Sequence, residues 1–194
     1  MTQMRTYIDL YAQRFDDARY EWGGTSHRNI LLKSGENVGD LIGVSDYELQ
    51  LSEMDGIQIN QLFVLPAPID FVSVIDGTIS GSIVVHIRSS VSGEATYLTK
   101  IEVDVVKINA SGDEITIKTI PVFEGNKVLY DNSETLGYMF WADISEVSVS
   151  ASERLGIRAK TYGRASGNAG VWDMHHRLEL TKNGTDLSIS IPTM

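Results

Sequence analysis

The sequence predicts a mainly β chain, an antiparallel jelly-roll-like β-sandwich with an N-terminal helix or arm. Two observations carry this expectation. From Gln61 onward, apolar residues recur at every second position in segments bounded by Gly, Asn, Asp or Pro, with no helical segment between them. Many short strands separated by turn signals build sandwiches or barrels, not α/β folds. Residues 4–22 instead place Met4, Ile8, Tyr11, Phe15, Ala18 and Trp22 at intervals of three and four, the spacing of one helical face. The expected division is an N-terminal helix or arm with a mixed segment over 1–60, and the sandwich over 61–194.

In the first part, Arg5, Asp9, Gln13, Asp16 and Asp17 supply the polar side of the helix, and Gly23-Gly24 ends it. Tyr47, Leu49 and Leu51 alternate with polar residues as a short strand, and Ile57 and Ile59 begin another. The run over 62–65 is broken by Pro66-Ala67-Pro68, because proline offers no ladder donor. A second run over 69–75 ends at Asp76-Gly77. Ile83, Val85 and Ile87 alternate with Val84, His86 and Arg88. Thr99, Ile101, Val103 and Val105 alternate with Lys100, Glu102 and Asp104. The parity then shifts at Val105-Val106, which predicts a β-bulge or a strand leaving its layer.

Asn109-Ala110-Ser111-Gly112-Asp113 reads as a hairpin turn that leads to Ile115 and Ile117. Residues 128–130 and 137–149 add β material. Leu155, Ile157 and Ala159 form one face of a further strand, and Trp172, Met174, Leu178 and Leu180 share a face on the next. Lys182-Asn183-Gly184-Thr185 predicts a tight hairpin, since Asn-Gly accepts positive φ. Leu187, Ile189 and Ile191 make the terminal strand.

Composition bounds the chemistry. The 194 residues carry a net charge of −10 and no cysteine. Disulfides, thiolate metal sites and a cysteine nucleophile are excluded. The acidic balance argues against broad nucleic-acid binding. No run of apolar residues reads as a secretory signal or a membrane span, so the expectation is a protein made in the cytoplasm, with no membrane partner. No Gly-x-Ser-x-Gly elbow, phosphate loop or dinucleotide fingerprint is present, and no cofactor is expected. His175 and His176 are adjacent, and neighbours on a strand point to opposite faces, so they make a poor metal pair. Glu102 and Asp104 share a strand face between lysines, which reads as an ordinary charged surface before it reads as an acid–base pair.

Two features point to binding. Arg154, Arg158, Lys160, Tyr162 and Arg164 share one parity in a stretch without acidic residues, opposite Leu155, Ile157 and Ala159. Such a stripe suits an acidic partner, because the arginine fork pairs with carboxylates. It equally suits internal pairing with acids on neighbouring strands. Tyr7, Tyr11, Phe15 and Trp22 form the second candidate, either packing inward or burying aromatics against a neighbour. Trp141 and Trp172 read first as core residues. With Tyr162 they are the candidates for an aromatic glycan platform.

The turn at Ile108-Asn109-Ala110-Ser111-Gly112-Asp113-Glu114, the stretch from Ser152-Glu153-Arg154 to Tyr162-Gly163, and the ending Gly184-Thr185-Asp186-Leu187-Ser188-Ile189-Ser190-Ile191-Pro192 resemble strands of tailed-phage virion proteins. The likeness covers residues 97–194. It implies a jelly-roll structural protein of a bacteriophage particle. Its first implied role is a capsid decoration or cement protein that binds the major capsid protein or other virion subunits. A homo-oligomer, with a trimer favoured, would go with that role, and the location would be the virion. A tail, collar or fibre component with a receptor- or glycan-binding role is the alternative, and a glycan hydrolase is a third reading. On this view, deleting residues 1–22 should weaken incorporation into particles, and normal occupancy of the truncated chain would argue against a contact role for that segment.

Overall fold

Alternating side chains need a partner sheet on one side and water on the other, and the chain satisfies this along nearly all its described length. The computed structural model describes residues 6–14, 20–22, 25–27, 29–33, 56–66, 73–89, 95–130, 133–165, 174–178, 180–181 and 184–194. Among them the regular elements are all strands. They are β1 (Thr6–Arg14), β2 (Tyr20–Trp22), β3 (Thr25–His27), β4 (Asn29–Lys33), β5 (Gly56–Val64), β6 (Ser73–Ser89) and β7 (Ala95–Ile108). The second half holds β8 (Glu114–Tyr130), β9 (Ser133–Val149), β10 (Arg154–Ala165), β11 (Met174–Arg177), β12 (Leu180–Thr181), β13 (Gly184–Thr185) and β14 (Leu187–Thr193).

The helix expected over 4–22 is corrected by β1. Leu10 and Ala12 are fully buried, whereas Asp9 is exposed and Tyr11, between the two, is only half-buried, so the segment alternates with period two. Ile8, Tyr7 and Tyr11 are good strand formers, and the pairing partners decide the matter. β1 runs antiparallel to β14 on one side, from Thr6↔Thr193 to Tyr11↔Ser188, and to β4 on the other, from Leu10↔Lys33 to Arg14↔Asn29. Trp22 lies in β2, which pairs with β3. Phe15 and the strand expected at Tyr47, Leu49 and Leu51 lie outside the described residues.

Hydrogen bonding orders the main strands as β9-β6-β14-β1-β4 and β5-β10-β7-β8, with β11 alongside the end of β6. Among the described residues the two groups join through a single parallel pair, Ile30↔Val64, and every other pairing is antiparallel. One core holds both groups as a β-sandwich. It takes Ile79, Ile83 and Ile189 from the first and Ile101, Val103 and Ile157 from the second. Each such side chain contributes about 1.5–3 kcal/mol by leaving water. At the opposite side, β8 and β9 approach through the Phe123 and Tyr138 rings, 5.3 Å apart, and a 2.8 Å Lys127–Glu134 ion pair.

Several local expectations meet refinements. Asp76-Gly77 does not end a strand. β6 runs through it with a register shift against β9, and Gly77 takes φ 130°, a conformation open to glycine. The bulge expected at Val105-Val106 is present, and the extra residue belongs to β8: Val105 faces Lys118 while Val106 faces Thr116. In the 109–113 turn, Asn109 Oδ1 accepts the Ser111 and Asp113 N–H groups at 2.9 Å each, and Gly112 sits at φ 91°. The late hairpin pairs Thr181 with Gly184, leaving two residues between the strands.

Gly81 faces inward beneath Phe140. A Cβ there would press on the Ser188 carbonyl oxygen and lie 2.5 Å from the Phe140 ring. Backbone on one side and a packed ring on the other leave no cheap relaxation. Gly81→Ala should cost about 1–3 kcal/mol and lower the melting temperature by roughly 3–10 °C. Gly137→Ala, whose Cβ would meet only Val84 at 3.8 Å, should leave it nearly unchanged. Thermal denaturation of the two variants checks the pair.

Candidate functional site

The sandwich presents two outer faces of opposite character. On the β5-β10-β7-β8 group, β10 turns Leu155, Ile157 and Ala159 into the core and Arg154, Arg158, Lys160 and Tyr162 outward, as the parity predicts. Most of these side chains are partnered by their neighbours. Arg158 pairs with Glu114 and donates to Asn60 Oδ1 at 2.8 Å. Lys160 pairs with Asp104, which is almost fully buried and also accepts from Thr119 at 2.7 Å. The Tyr162 hydroxyl donates to Glu102 at 2.9 Å, and Lys100 reaches the same carboxylate at 2.6 Å. Arg164 donates to Asn126 and stacks on the Tyr97 ring, 4.8 Å away, while Arg154 donates to the Pro66 carbonyl at 3.4 Å. Asp104 and Glu114 are therefore the counter-ions of Lys160 and Arg158, and Glu102 serves Lys100 and Tyr162. Lys107 and Glu153 add a 3.2 Å pair beside it.

This network shifts four groups, among them Lys100, whose ammonium the Glu102 carboxylate holds above its ordinary value. Burial opposes ionisation of Glu102, yet the Lys100 ammonium, the Tyr162 hydroxyl and the Lys160 charge together hold its carboxyl below the usual range. The Ser150 N–H and Lys107 do the same for Glu153 against its burial. Burial, then the Glu102 carboxylate, push the Tyr162 hydroxyl up to about 12.

The β9-β6-β14-β1 face is built differently. Register aligns Tyr11, Ser188, Ser82 and Met139 on one rung, and Asp9, Ser190, Ser80 and Trp141 on the next. These side chains share the parity opposite to the core residues Leu10, Ile189 and Phe140. The middle two strands thus contribute only serines. The outer strands contribute Asp9 and Tyr11 on one side and Met139 and Trp141 on the other. Asp9, Tyr11, the four serines and Met139 line a shallow trough of about 220 Å³, and Trp141 stands at its edge, next to Ser80 in register. Ser82 and Ser188 share a hydrogen bond of 2.9 Å on its floor. Trp141 is 73% exposed and Met139 80%.

The expectation that Trp141 is a core residue is therefore corrected, and Trp172 lies outside the described residues. The stretch Tyr138-Met139-Phe140-Trp141 is uniformly apolar, so its parity could not be read, and Phe140 takes the inward place. Of the aromatic candidates, Tyr7 and Tyr11 lie on this outer face of β1, two rungs apart. The serines gave a weak signal, since Ser80-Gly81-Ser82 and Ser188-Ile189-Ser190 each alternate, but nothing local shows that they adjoin.

His176 is buried with Nδ1 2.6 Å from the Thr161 hydroxyl, and His86 lies 3.0 Å from Asp186 and 2.9 Å from Thr135. Among the described residues no group of three or more His, Asp or Glu side chains is placed to hold a metal ion.

No family model matches the chain, and no curated protein matches it. Among solved structures it is similar to a CocE/NonD family hydrolase from Staphylococcus aureus, at 11% identity and a TM-score of 0.43, over 95% of this chain and 41% of that one. It is also similar to the VP2 subviral particle of infectious bursal disease virus, at 12% identity and a TM-score of 0.32, over 97% of this chain and 61% of that one. The chain thus spans less than two thirds of either, and similarity at this level assigns no activity.

The charge network sets a pH dependence. A carboxyl held below its unfolded pKa stabilises the fold above that value, and the gain is lost as pH falls through the folded value. A tyrosine raised above its unfolded pKa stabilises below about pH 10, and the gain is lost as pH rises toward the folded value. Melting temperature should therefore fall below about pH 4.5 and again between about pH 10 and 12. Glu102→Gln should blunt the acid fall and Tyr162→Phe the alkaline one, in melts taken across the range. Parallel curves for variants and parent would contradict this.

Proposed function

We propose that this chain is a structural subunit of a virus particle that works by binding, not catalysis. Its first role is capsid decoration or cement on a bacteriophage head. The strand orders β1-β14-β6-β9 and β5-β10-β7-β8 support a jelly roll, since each layer interleaves early and late strands as two Greek keys do. The observation that carries the binding role is the exposure of Met139 and Trp141 side by side on one face of β9, because large apolar side chains grouped on a surface mark an interaction site. The basic stripe is the less suitable contact, since its charges already have partners within the chain. The proposed partners are a major capsid protein or other virion subunits, with the chain itself a homo-oligomer, a trimer first. A subunit that binds only the assembled shell would stabilise it by mass action.

A second reading is a tail, collar or fibre component that meets a receptor. The serine floor favours it, because an interface core between proteins is normally apolar and this face is polar at its centre.

The structure changes the useful experiment. β1 is hydrogen-bonded on both sides, so deleting residues 1–22 removes an interior strand and would lower folding along with any docking. Met139→Ser with Trp141→Ala is the cleaner variant, as both side chains are exposed. Under the cement reading it should lower occupancy on particles lacking the parent protein by about tenfold or more, with an unchanged melting temperature. Full occupancy of the double variant would exclude this face as the docking surface.

A further inference from the structure

We infer that the trough across the β9-β6-β14-β1 face is a binding site for a neutral glycan. Trp141 is its stacking platform, and the serines with Asp9 are its hydroxyl partners. The inference deepens the receptor-facing reading and rests on it.

Four properties of the trough lead there. The first is shape. From Asp9 on β1 to Trp141 on β9 are three strand spacings, about 14 Å, floored only by serines. Small floor residues let a flat ring lie against the sheet, and the span accepts more than one sugar unit. The second is the pairing of chemistries. A pyranose offers C–H bonds on its faces and hydroxyls at its rim. The exposed Trp141 indole, which faces Ser80 in register at the edge of the trough, suits the face, and the lining residues Ser80, Ser82, Ser188, Ser190 and Asp9 suit the rim. The Ser82–Ser188 bond uses one donor and one acceptor, so that pair still offers a donor and further acceptor sites.

The third property is charge. Among the described residues, Asp9 is the charged one in the lining and no cation joins it. A sialylated or phosphorylated ligand would meet a carboxylate with nothing to pair it, which selects a neutral one. The fourth is rigidity. β6 and β14 are interior strands paired on both sides, so the floor is held in place before any ligand arrives. A second copy of the chain is a poorer occupant, for the polar centre and aromatic edge invert the arrangement of a protein interface.

The test uses the full chain on an array of neutral glucose-, galactose- and N-acetylhexosamine-containing oligosaccharides and their sialylated counterparts. Calorimetry with the strongest neutral binder follows. Binding to neutral glycans is expected, weakened at least tenfold by Trp141→Ala and substantially retained in Trp141→Phe, with unchanged melting temperatures. Asp9→Lys should move preference toward sialylated glycans. Absence of binding to any neutral glycan, or equal affinity in Trp141→Ala, would overturn the inference. Preference of the parent chain for sialylated glycans would overturn the neutral assignment and leave the receptor-facing reading intact. A chain that binds no glycan, yet loses particle occupancy in the Met139→Ser, Trp141→Ala variant, would overturn both in favour of cement.

Discussion

The pairing of β1 with β14 is the contact on which the sandwich depends. Six consecutive residue pairs, Thr6↔Thr193 to Tyr11↔Ser188, join segments at opposite ends of the sequence. The hydroxyls of Thr6 and Thr193 lie 3.0 Å apart at one end of this ladder. β14 in turn pairs with β6, and Met194 exchanges two backbone hydrogen bonds with Val74, at 2.8 and 3.2 Å. Without β1, the Ile189 and Ile191 strand would lose a neighbour and β4 would lose its link to the layer. Contacts so distant in sequence form late, after most chain entropy has been lost, so this ladder should close a slow folding reaction.

That ladder also explains why the two outer faces differ. β10 and β7 are long neighbours with opposite charge at facing positions: Arg158↔Asp104, Lys160↔Glu102. Cross-strand neighbours of opposite charge attract, so a chain of net −10 can carry a basic stripe without advertising it. The acids are drawn out of the bulk surface into a network that includes the buried Asp104. On the other layer, β14 and β6 face each other with serine against serine: Ser188↔Ser82 and Ser190↔Ser80. Short side chains cannot cover one another, so the face remains open.

The β character of the chain was legible because alternation survives in almost every strand. Leu155, Ile157 and Ala159 were placed inward and their even-numbered neighbours outward from parity alone. Residues 6–14 misled because a single sequence can satisfy two periods at once: Ile8, Tyr11 and Phe15 fit a helix while Ile8, Leu10 and Ala12 fit a strand. Only the partners β14 and β4 decide between them. Asp76-Gly77 misled for a related reason. The same positive φ serves a turn and a bulge, and the continuing ladder with β9 is what makes it a bulge. The trough was illegible because its two rungs are assembled from four strands between residues 9 and 190, and register is a property of pairs.

Met139 and Trp141 are where local consistency fails. Every other rule of the sandwich is kept on β9, whose Phe140 and Ile144 fill the core. Exposed indole and thioether groups on the opposite parity gain nothing for this fold and add an aggregation hazard to a long outer strand. Polar residues there would satisfy folding better. Sequences specify structures by agreement across levels, and departures concentrate where something else is being selected. The two departures stand beside a trough floored with hydroxyls, on strands β6 and β14 that are paired on both sides. Exposure, small floor and rigidity are separate properties of separate strands, and a ligand laid across them is the requirement that makes all three useful together.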